Sequence, residues 1–342
     1  MLTSITKKVI SGENLREDEA MSAMEIIMTG KSTSAQIAAF LTAMKMKGET
    51  VEEITGCAKV MRNKAEKVTV NRDYVVDSCG TGGDNSNTFN ISTACAFIAA
   101  AAGLPVAKHG NRAVSSRCGS ADVLEELGVN ISLDSSGVQQ CIDEIGIGFL
   151  FAQNFHKAMK YAAPTRRELG FRTIFNLLGP LTNPVDLKGH LLGVFDEKLT
   201  EPISSVLKNL GMERVLVVHG MDGLDEITTT TVTKVSELKD GEIRTYYIDP
   251  ENYGIPFSNK SDLIGGDAKE NALIIRRILQ GKPGPKRDIV VLNSAAVLYV
   301  GKKVNNIKQG IELAEEMIDS GEAYGKLEEL VTYSREVVKR AG

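Results

Sequence analysis

The chain has 342 residues, long enough for a large core and for two domains. Forty basic against forty-four acidic residues leave a net charge of −4, which argues against a nucleic-acid-binding surface. Its five cysteines (Cys57, Cys79, Cys95, Cys118 and Cys141) are scattered, odd in number and without a CxxC pair, so they read as reduced thiols rather than disulfides or zinc ligands.

The first fifteen residues lack the apolar core of a signal peptide, and the longest apolar run, 94–107, is short of the ~20 residues that span a bilayer. A cytoplasmic protein that does not engage a membrane is expected. Residues 1–68 read as helices only. Asn14 with Glu17, Thr33 with Gln36, and Thr50 with Glu53 each have capping-box spacing. Ile37, Phe40, Leu41 and Met44 recur at helical spacing, while Gly30 and Gly48 fall where helices should stop. A small helical core is expected here.

From about residue 73 strands and helices alternate. Strands are predicted at 73–77, 104–107, 130–132, 148–152, 191–194 and 215–219, with helices at 121–127, 138–145 and 201–210. The pattern predicts an α/β fold: a small all-helical N-terminal domain, then a mostly parallel central sheet flanked by helices. Residues 228–235 and 242–248 read as a β-rich insertion, followed by helices at 267–279, 288–300 and 308–320 and a charged terminal helix.

The most informative stretch is 77–128. A short strand ends at Asp77, and Gly80-Thr81-Gly82-Gly83-Asp84 follows at once. Three glycines in four positions let backbone N–H groups approach a ligand without interference from Cβ atoms. Asn90, Ile91, Ser92 and Thr93 then precede an alanine-rich run that reads as a helix, which puts Ser92 and Thr93 at an anion-favouring N-terminus. A second strand opens into Lys108-His109-Gly110-Asn111-Arg112, with Ser115, Ser116, Arg117 and Ser120 close behind. Two successive strand-to-helix loops with glycines, hydroxyls and cations make a polyphosphate site. Neither loop has the Walker or Rossmann glycine spacing.

Further on, Asp225 and Glu226 follow an apolar strand. Adjacent carboxylates at a strand end suit Mg²⁺; the alternative is a solvated acidic turn. Arg166 and Arg167, in APTRRELGFRT, stand just before a predicted helix, and an arginine fork can hold a carboxylate through two parallel bonds.

These blocks, together with FNLLGPLTNP at 175–184 and the segment 219–227, run in the order and spacing of the anthranilate phosphoribosyltransferase family, which the chain resembles over nearly its whole length. The resemblance implies transfer of the 5-phosphoribosyl group of PRPP to the amine of anthranilate, with release of pyrophosphate, as the second step of tryptophan biosynthesis from chorismate. It assigns PRPP to Gly80, Gly83, Asp84, Thr88, Asn90, Ile91, Ser92, Thr93, Lys108, His109, Gly110, Asn111, Arg112, Ala113, Val114, Ser115, Ser116 and Ser120. It assigns anthranilate to Gly80, His109, Asn111, Arg166, Gly179 and Pro180, and Mg²⁺, as two ions, to Ser92, Asp225 and Glu226. No side chain is assigned a covalent or proton-transfer role; positioning and electrostatics carry the expected reaction. A homodimer through the helical domain is also implied, with residues 1–70, completed by helices from about 165–185, as that domain and 71–342 as the large one.

One departure is Lys157, which follows His156 where the family often has proline; it reads as a solvated side chain. Two alternatives stand beside this reading. A pyrimidine nucleoside phosphorylase would carry a Lys-His-Ser-Thr-Gly-Gly pattern, where this chain has Ser78-Cys79-Gly80-Thr81. A non-catalytic nucleic-acid-binding relative would need a broad basic surface.

Overall fold

The computed structural model describes residues 1–84, 86–113 and 117–341, with side chains as far as residue 337. The chain opens with α1 (Leu2–Ile10), α2 (Glu17–Met28), α3 (Ser34–Lys47) and α4 (Val51–Lys64). The Thr33 and Thr50 hydroxyls accept the backbone N–H groups of Gln36 and Glu53, closing the two expected capping boxes. The box expected at Asn14 does not form. Its side chain accepts instead from Lys47 Nζ (3.0 Å), and α2 starts from Arg16, whose N–H donates to Glu19 (3.1 Å). Ile37, Phe40, Leu41 and Met44 are buried with Met24 and Ile27, as the helical stripe predicts.

The large unit is built on β1 (Val76–Gly80), β2 (Val106–Gly110), β3 (Ile147–Phe151), β4 (Gly189–Gly193), β5 (Arg214–Gly220), β6 (Thr233–Lys239) and β7 (Glu242–Ile248). They form one seven-stranded sheet in the order β3-β2-β1-β4-β5-β6-β7. The first five in this order are parallel, while β6 and β7 pair antiparallel as a hairpin. The expected β-rich insertion is thus an extension of the same sheet. Residues 228–232 lie outside it, because the Thr228 and Thr230 hydroxyls donate to Asp222 and hold a turn. The strand expected at 130–132 is also a turn; the Asn130 N–H is taken by the Ser334 hydroxyl (3.0 Å).

Between and after the strands come α5 (Ile91–Ala101), α6 (Ser120–Leu127), α7 (Ser135–Ile145), α8 (Ala152–Phe155), α9 (Ala163–Leu169), α10 (Ile174–Leu178), α11 (Thr200–Asn209), α12 (Ala268–Leu279), α13 (Pro285–Val300), α14 (Ile307–Asp319) and α15 (Glu322–Ala341). Helix α5 packs against β1, α13 and α15 and is buried on nearly every side, which explains its run of alanines. Helices α9 and α10 sit in the β3-to-β4 connection and pack against α3 and α4. Among the described residues no helix is long and apolar enough to cross a membrane.

The chain places β1, β2 and β3 side by side and then returns to the other edge of β1 with β4. The strand order therefore reverses between β1 and β4. Open α/β sheets bind ligands outside the carboxyl ends at such a point. Here those ends are Gly80 and Gly193, which are register partners.

Candidate active site

The segment carrying Asp225 and Glu226 lies directly over this switch point. A Cβ on Gly193 would sit 1.6 Å from the Asp225 carbonyl oxygen, and one on Gly80 would sit 2.1 Å from Asp225 Oδ2. Only hydrogen at both positions permits the approach. The Gly82 N–H then donates to Asp225 Oδ2 (2.7 Å). Burial, followed by repulsion from Asp84, pushes the Asp225 carboxyl well above the usual carboxylate range. Burial and then the Asp225 charge push Glu226 up to about 8, against the opposing pull of Lys108 and of the Ser92 N–H. Asp84 Oδ2 is buried without a hydrogen-bond partner. Among the described residues no lysine, arginine or histidine forms an ion pair with Asp84, Asp225 or Glu226. Three carboxylates converging without an ion-pair partner, with Lys108 and Arg172 acting only from farther off, fit a hard divalent cation, and Ser92 stands beside Glu226 to complete the expected set.

A helix N-terminus, hydroxyls and a buried lysine surround this acidic centre. Asn90 caps α5, so Ile91, Ser92 and Thr93 occupy its first turn, and Thr93 Oγ1 is buried without a partner. The Asn90 side chain donates to the Cys118 carbonyl (3.2 Å) and accepts from Asn271 (3.0 Å), tying the two loops to α12. Thr88 bridges to Ile264. Lys108 is buried beneath the first loop, donating to the Ser78 carbonyl and to Ser92 Oγ (3.4 Å). Ser120 begins α6 and donates to the Asn111 carbonyl (3.4 Å), directly over Gly110. The Arg112 guanidinium turns away to Asp122 and Glu125 (2.9 Å each), and the Ala113 N–H donates to Asp122. Val114, Ser115 and Ser116 lie outside the described residues.

On the other side, His109 and His156 face each other with ring centroids 5.2 Å apart, and Nε2 of each is buried without a partner. Burial holds the His156 imidazole down to about 4 and His109 well below the usual histidine range, so both are neutral at pH 7. Asn111 Oδ1 accepts from Gln153 (3.4 Å). Arg166 and Arg167 lie in the last turn of α9 rather than before a helix. Arg166 rests over the Phe175 ring, 4.9 Å to its centroid, and has no acidic partner among the described residues; Arg167 is exposed. Gly179 and Pro180 open a 3₁₀ turn after α10. Three residues on, Asn183 donates to Asp77 Oδ2 (3.0 Å) and to the Ala107 carbonyl (2.9 Å), fixing this wall against β1 and β2. Lys157 is paired with Glu66 (2.8 Å) at the surface rather than simply solvated. A separate surface cavity of about 230 Å³, lined by Glu237, Lys239, Asp240, Glu242 and Arg244, lies on the β6–β7 hairpin at the far edge of the sheet.

Sequence reasoning misses Arg172, six residues beyond Arg166. Its guanidinium donates to the Gly83 carbonyl, lies 4.3 Å from the Phe195 ring centroid, and eases the charge on Asp225. No spacing rule marks it, since its partner is a main-chain oxygen far along the chain. Arg172→Ala is expected to raise the KM of the substrate held at the Gly80–Asp84 loop about 10-fold or more while moving that of the second substrate little, because a charged hydrogen bond to the loop is worth roughly 1.5–3 kcal/mol. Parallel rises in both constants would show that Arg172 does not act through this loop.

Residues 3–65 match the helical bundle domain of the glycosyl transferase family, and residues 72–324 match the α/β domain of the same family. Anthranilate phosphoribosyltransferase of Acetivibrio thermocellus is 62% identical over 338 residues, covering 99% of this chain and 98% of that protein. The Clostridium kluyveri enzyme of that name is 60% identical over 334 residues, with 98% and 100% covered. Among solved structures, anthranilate phosphoribosyltransferase from Thermus thermophilus aligns with a TM-score of 0.92 at 44% identity, covering 97% of this chain and 99% of that one. The Saccharomyces cerevisiae enzyme in complex with PRPP and Mg aligns at 0.90 and 29% identity, covering 98% of each. The chain belongs to the anthranilate phosphoribosyltransferase family.

Proposed function

We infer that this protein transfers the 5-phosphoribosyl group of PRPP to the amine of anthranilate, releasing pyrophosphate, in tryptophan biosynthesis. The observation that carries the reading is a convergence at one switch point. Three carboxylates without an ion-pair partner meet two amide-rich loops there, with Arg166 and its unpaired charge on the connection that returns the chain to the same edge.

The difficult step is the departure of pyrophosphate as the ribosyl C1 becomes cation-like. Asp225, Glu226 and Ser92 would hold Mg²⁺, with Asp84 able to share a second ion; bound there, the metal offsets charge on the leaving group. The N–H groups of the first loop and of the α5 N-terminus, with Lys108 and Ser120, hold phosphate oxygens. Arg166 takes the anthranilate carboxylate against a wall formed by Gly179 and Pro180, and Asn111 aims the amine. The neutral His109 and His156 rings offer Nε2 atoms as acceptors for the amine hydrogens. Residues 1–70 with α9 and α10 are assigned as the helical unit and 71–342 as the transferase unit. Pairing of two copies through the helical unit belongs to the same reading, and the reduced-thiol composition supports a cytoplasmic location.

The test is loss of anthranilate fluorescence with purified protein, PRPP and Mg²⁺. Depletion that needs both PRPP and Mg²⁺ is expected; none, with folded protein, would turn attention to uridine or thymidine with phosphate. Arg166→Ala is expected to raise the anthranilate KM roughly 10–100-fold and the PRPP KM less than about threefold. Equal rises would remove Arg166 as the carboxylate anchor.

A further inference from the structure

Beneath the first loop, on the face of the sheet away from α5, three different donor types meet. The Ser78 hydroxyl reaches the Ser92 carbonyl in α5, so by strand alternation Asp77 and Cys79 project to the opposite face. His190 is the register partner of Asp77 on β4 and shares that face. Asp77 and His190 are fully buried, while Cys79 is half-buried. Cys79 Sγ lies 3.3 Å from His190 Nε2 and 3.8 Å from Asp77 Oδ2, and one ligand atom from each residue falls within 4.8 Å of the others.

Tetrahedral Zn²⁺ takes sulfur at about 2.3 Å and nitrogen or oxygen at about 2.0–2.2 Å, which sets sulfur roughly 3.6 Å from either partner. The two sulfur distances, 3.3 Å and 3.8 Å, already bracket that spacing. The His190 ring makes its polar contact with the thiol through Nε2, while its Nδ1 is buried without a hydrogen-bond partner. Asp77 is oriented by Asn183, which donates to Oδ2, and by the Ser78 N–H, which donates to Oδ1. Held carboxylates of this kind are how metal ligands are fixed in place.

We propose that Asp77, Cys79 and His190 form a binding site for a thiophilic divalent cation, Zn²⁺ or Cd²⁺, separate from the oxygen-donor centre at Asp225 and Glu226. The sulfur–nitrogen–oxygen set favours such ions over Mg²⁺. On binding, the metal–sulfur bond replaces the S–H bond and the proton leaves to solvent. Cys79 adjoins Gly80, and Asp77 also accepts the His109 N–H, so an ion here locks both substrate loops and inhibits. Inhibition is then independent of Mg²⁺ concentration.

The experiment titrates Cd²⁺ into purified protein in saturating Mg²⁺ and reads the ultraviolet thiolate-to-Cd²⁺ charge-transfer band. One equivalent is expected to develop the band in the native protein, with none in Cys79→Ser and an affinity at least about tenfold lower in His190→Gln. Zn²⁺ should inhibit the native enzyme at fixed Mg²⁺ and spare Cys79→Ser, each rate taken relative to that protein's own Zn²⁺-free rate. A band of equal strength in Cys79→Ser, unchanged affinity in His190→Gln, or Cd²⁺ displaced by Mg²⁺ would overturn the proposal. The binding arm needs no turnover, so it stands or fails apart from the assigned reaction.

Discussion

Replacing Asp225 with asparagine and Glu226 with glutamine together is expected to lower Mg²⁺-dependent kcat/KM for PRPP by about 10³-fold, or about 4 kcal/mol of transition-state stabilisation. The same change should make the metal-free protein more stable at alkaline pH. The reason lies in burial and then in mutual repulsion among the carboxylates, which outweigh Lys108 and Arg172, raise both carboxyls and take Glu226 up to about 8. Below the ordinary carboxylate range, near pH 4, folded and unfolded chains both hold these protons and nothing is lost. As pH climbs, the unfolded chain releases them first, so native stability falls until Glu226, the higher of the two in the folded chain, ionises near pH 8, and it is level beyond that. The amides cannot ionise. In chelator, thermal melts from pH 5 to 9 should therefore show the native protein falling relative to the double variant. Added Mg²⁺ should restore the native protein alone, and more at pH 8 than at pH 6, since the cation competes with protons. Melts that run parallel across this range would mean the acidic pair is already neutralised, and the cation site would be lost with it.

Gly193→Ala is expected to cost roughly 3 kcal/mol or more of stability as well as nearly all activity. The added methyl would meet a main-chain oxygen, the Asp225 carbonyl, at 1.6 Å, and a carbonyl cannot swing aside as a side chain can. Gly80→Ala makes a graded comparison, because its nearest obstacle is the Asp225 carboxylate at 2.1 Å, which has a torsion to yield. Gly80→Ala should thus keep most of the melting temperature while losing Mg²⁺-dependent turnover, whereas Gly193→Ala should lower both, by several degrees in Tm. Calorimetry with Mg²⁺ titration separates the two; equal melting temperatures would show that the Asp225 backbone is not wedged over β4.

Much of this was legible in the chain because the glycines, the first turn of α5 and the acidic pair are local signals. Thr33 and Thr50 cap as their spacing requires, since each partner lies within one turn. Asn14 does not, because a lysine 33 residues away takes its oxygen, and propensity cannot register a distant competitor. The turn at 130–132 has strand composition but loses its backbone N–H to α15. Arg112 and Arg172 illustrate the same limit at the site. The first stands in the loop after β2 yet spends its charge on α6, and the second stands outside every motif yet grips Gly83.

The return from β3 to β4 has a consequence for how such an enzyme can change. That one connection, residues 152–188, carries His156, Arg166, Gly179 and Pro180, while the phosphate loops follow β1 and β2 and the acidic pair follows β5. In the proposed assignment the acceptor pocket therefore draws on two stretches of chain, this excursion and the loop after β2 with His109 and Asn111. The same excursion also carries Arg172, which grips Gly83, and Asn183, which holds Asp77, so its exchange disturbs the loops after β1 and β2 unless those two residues are kept.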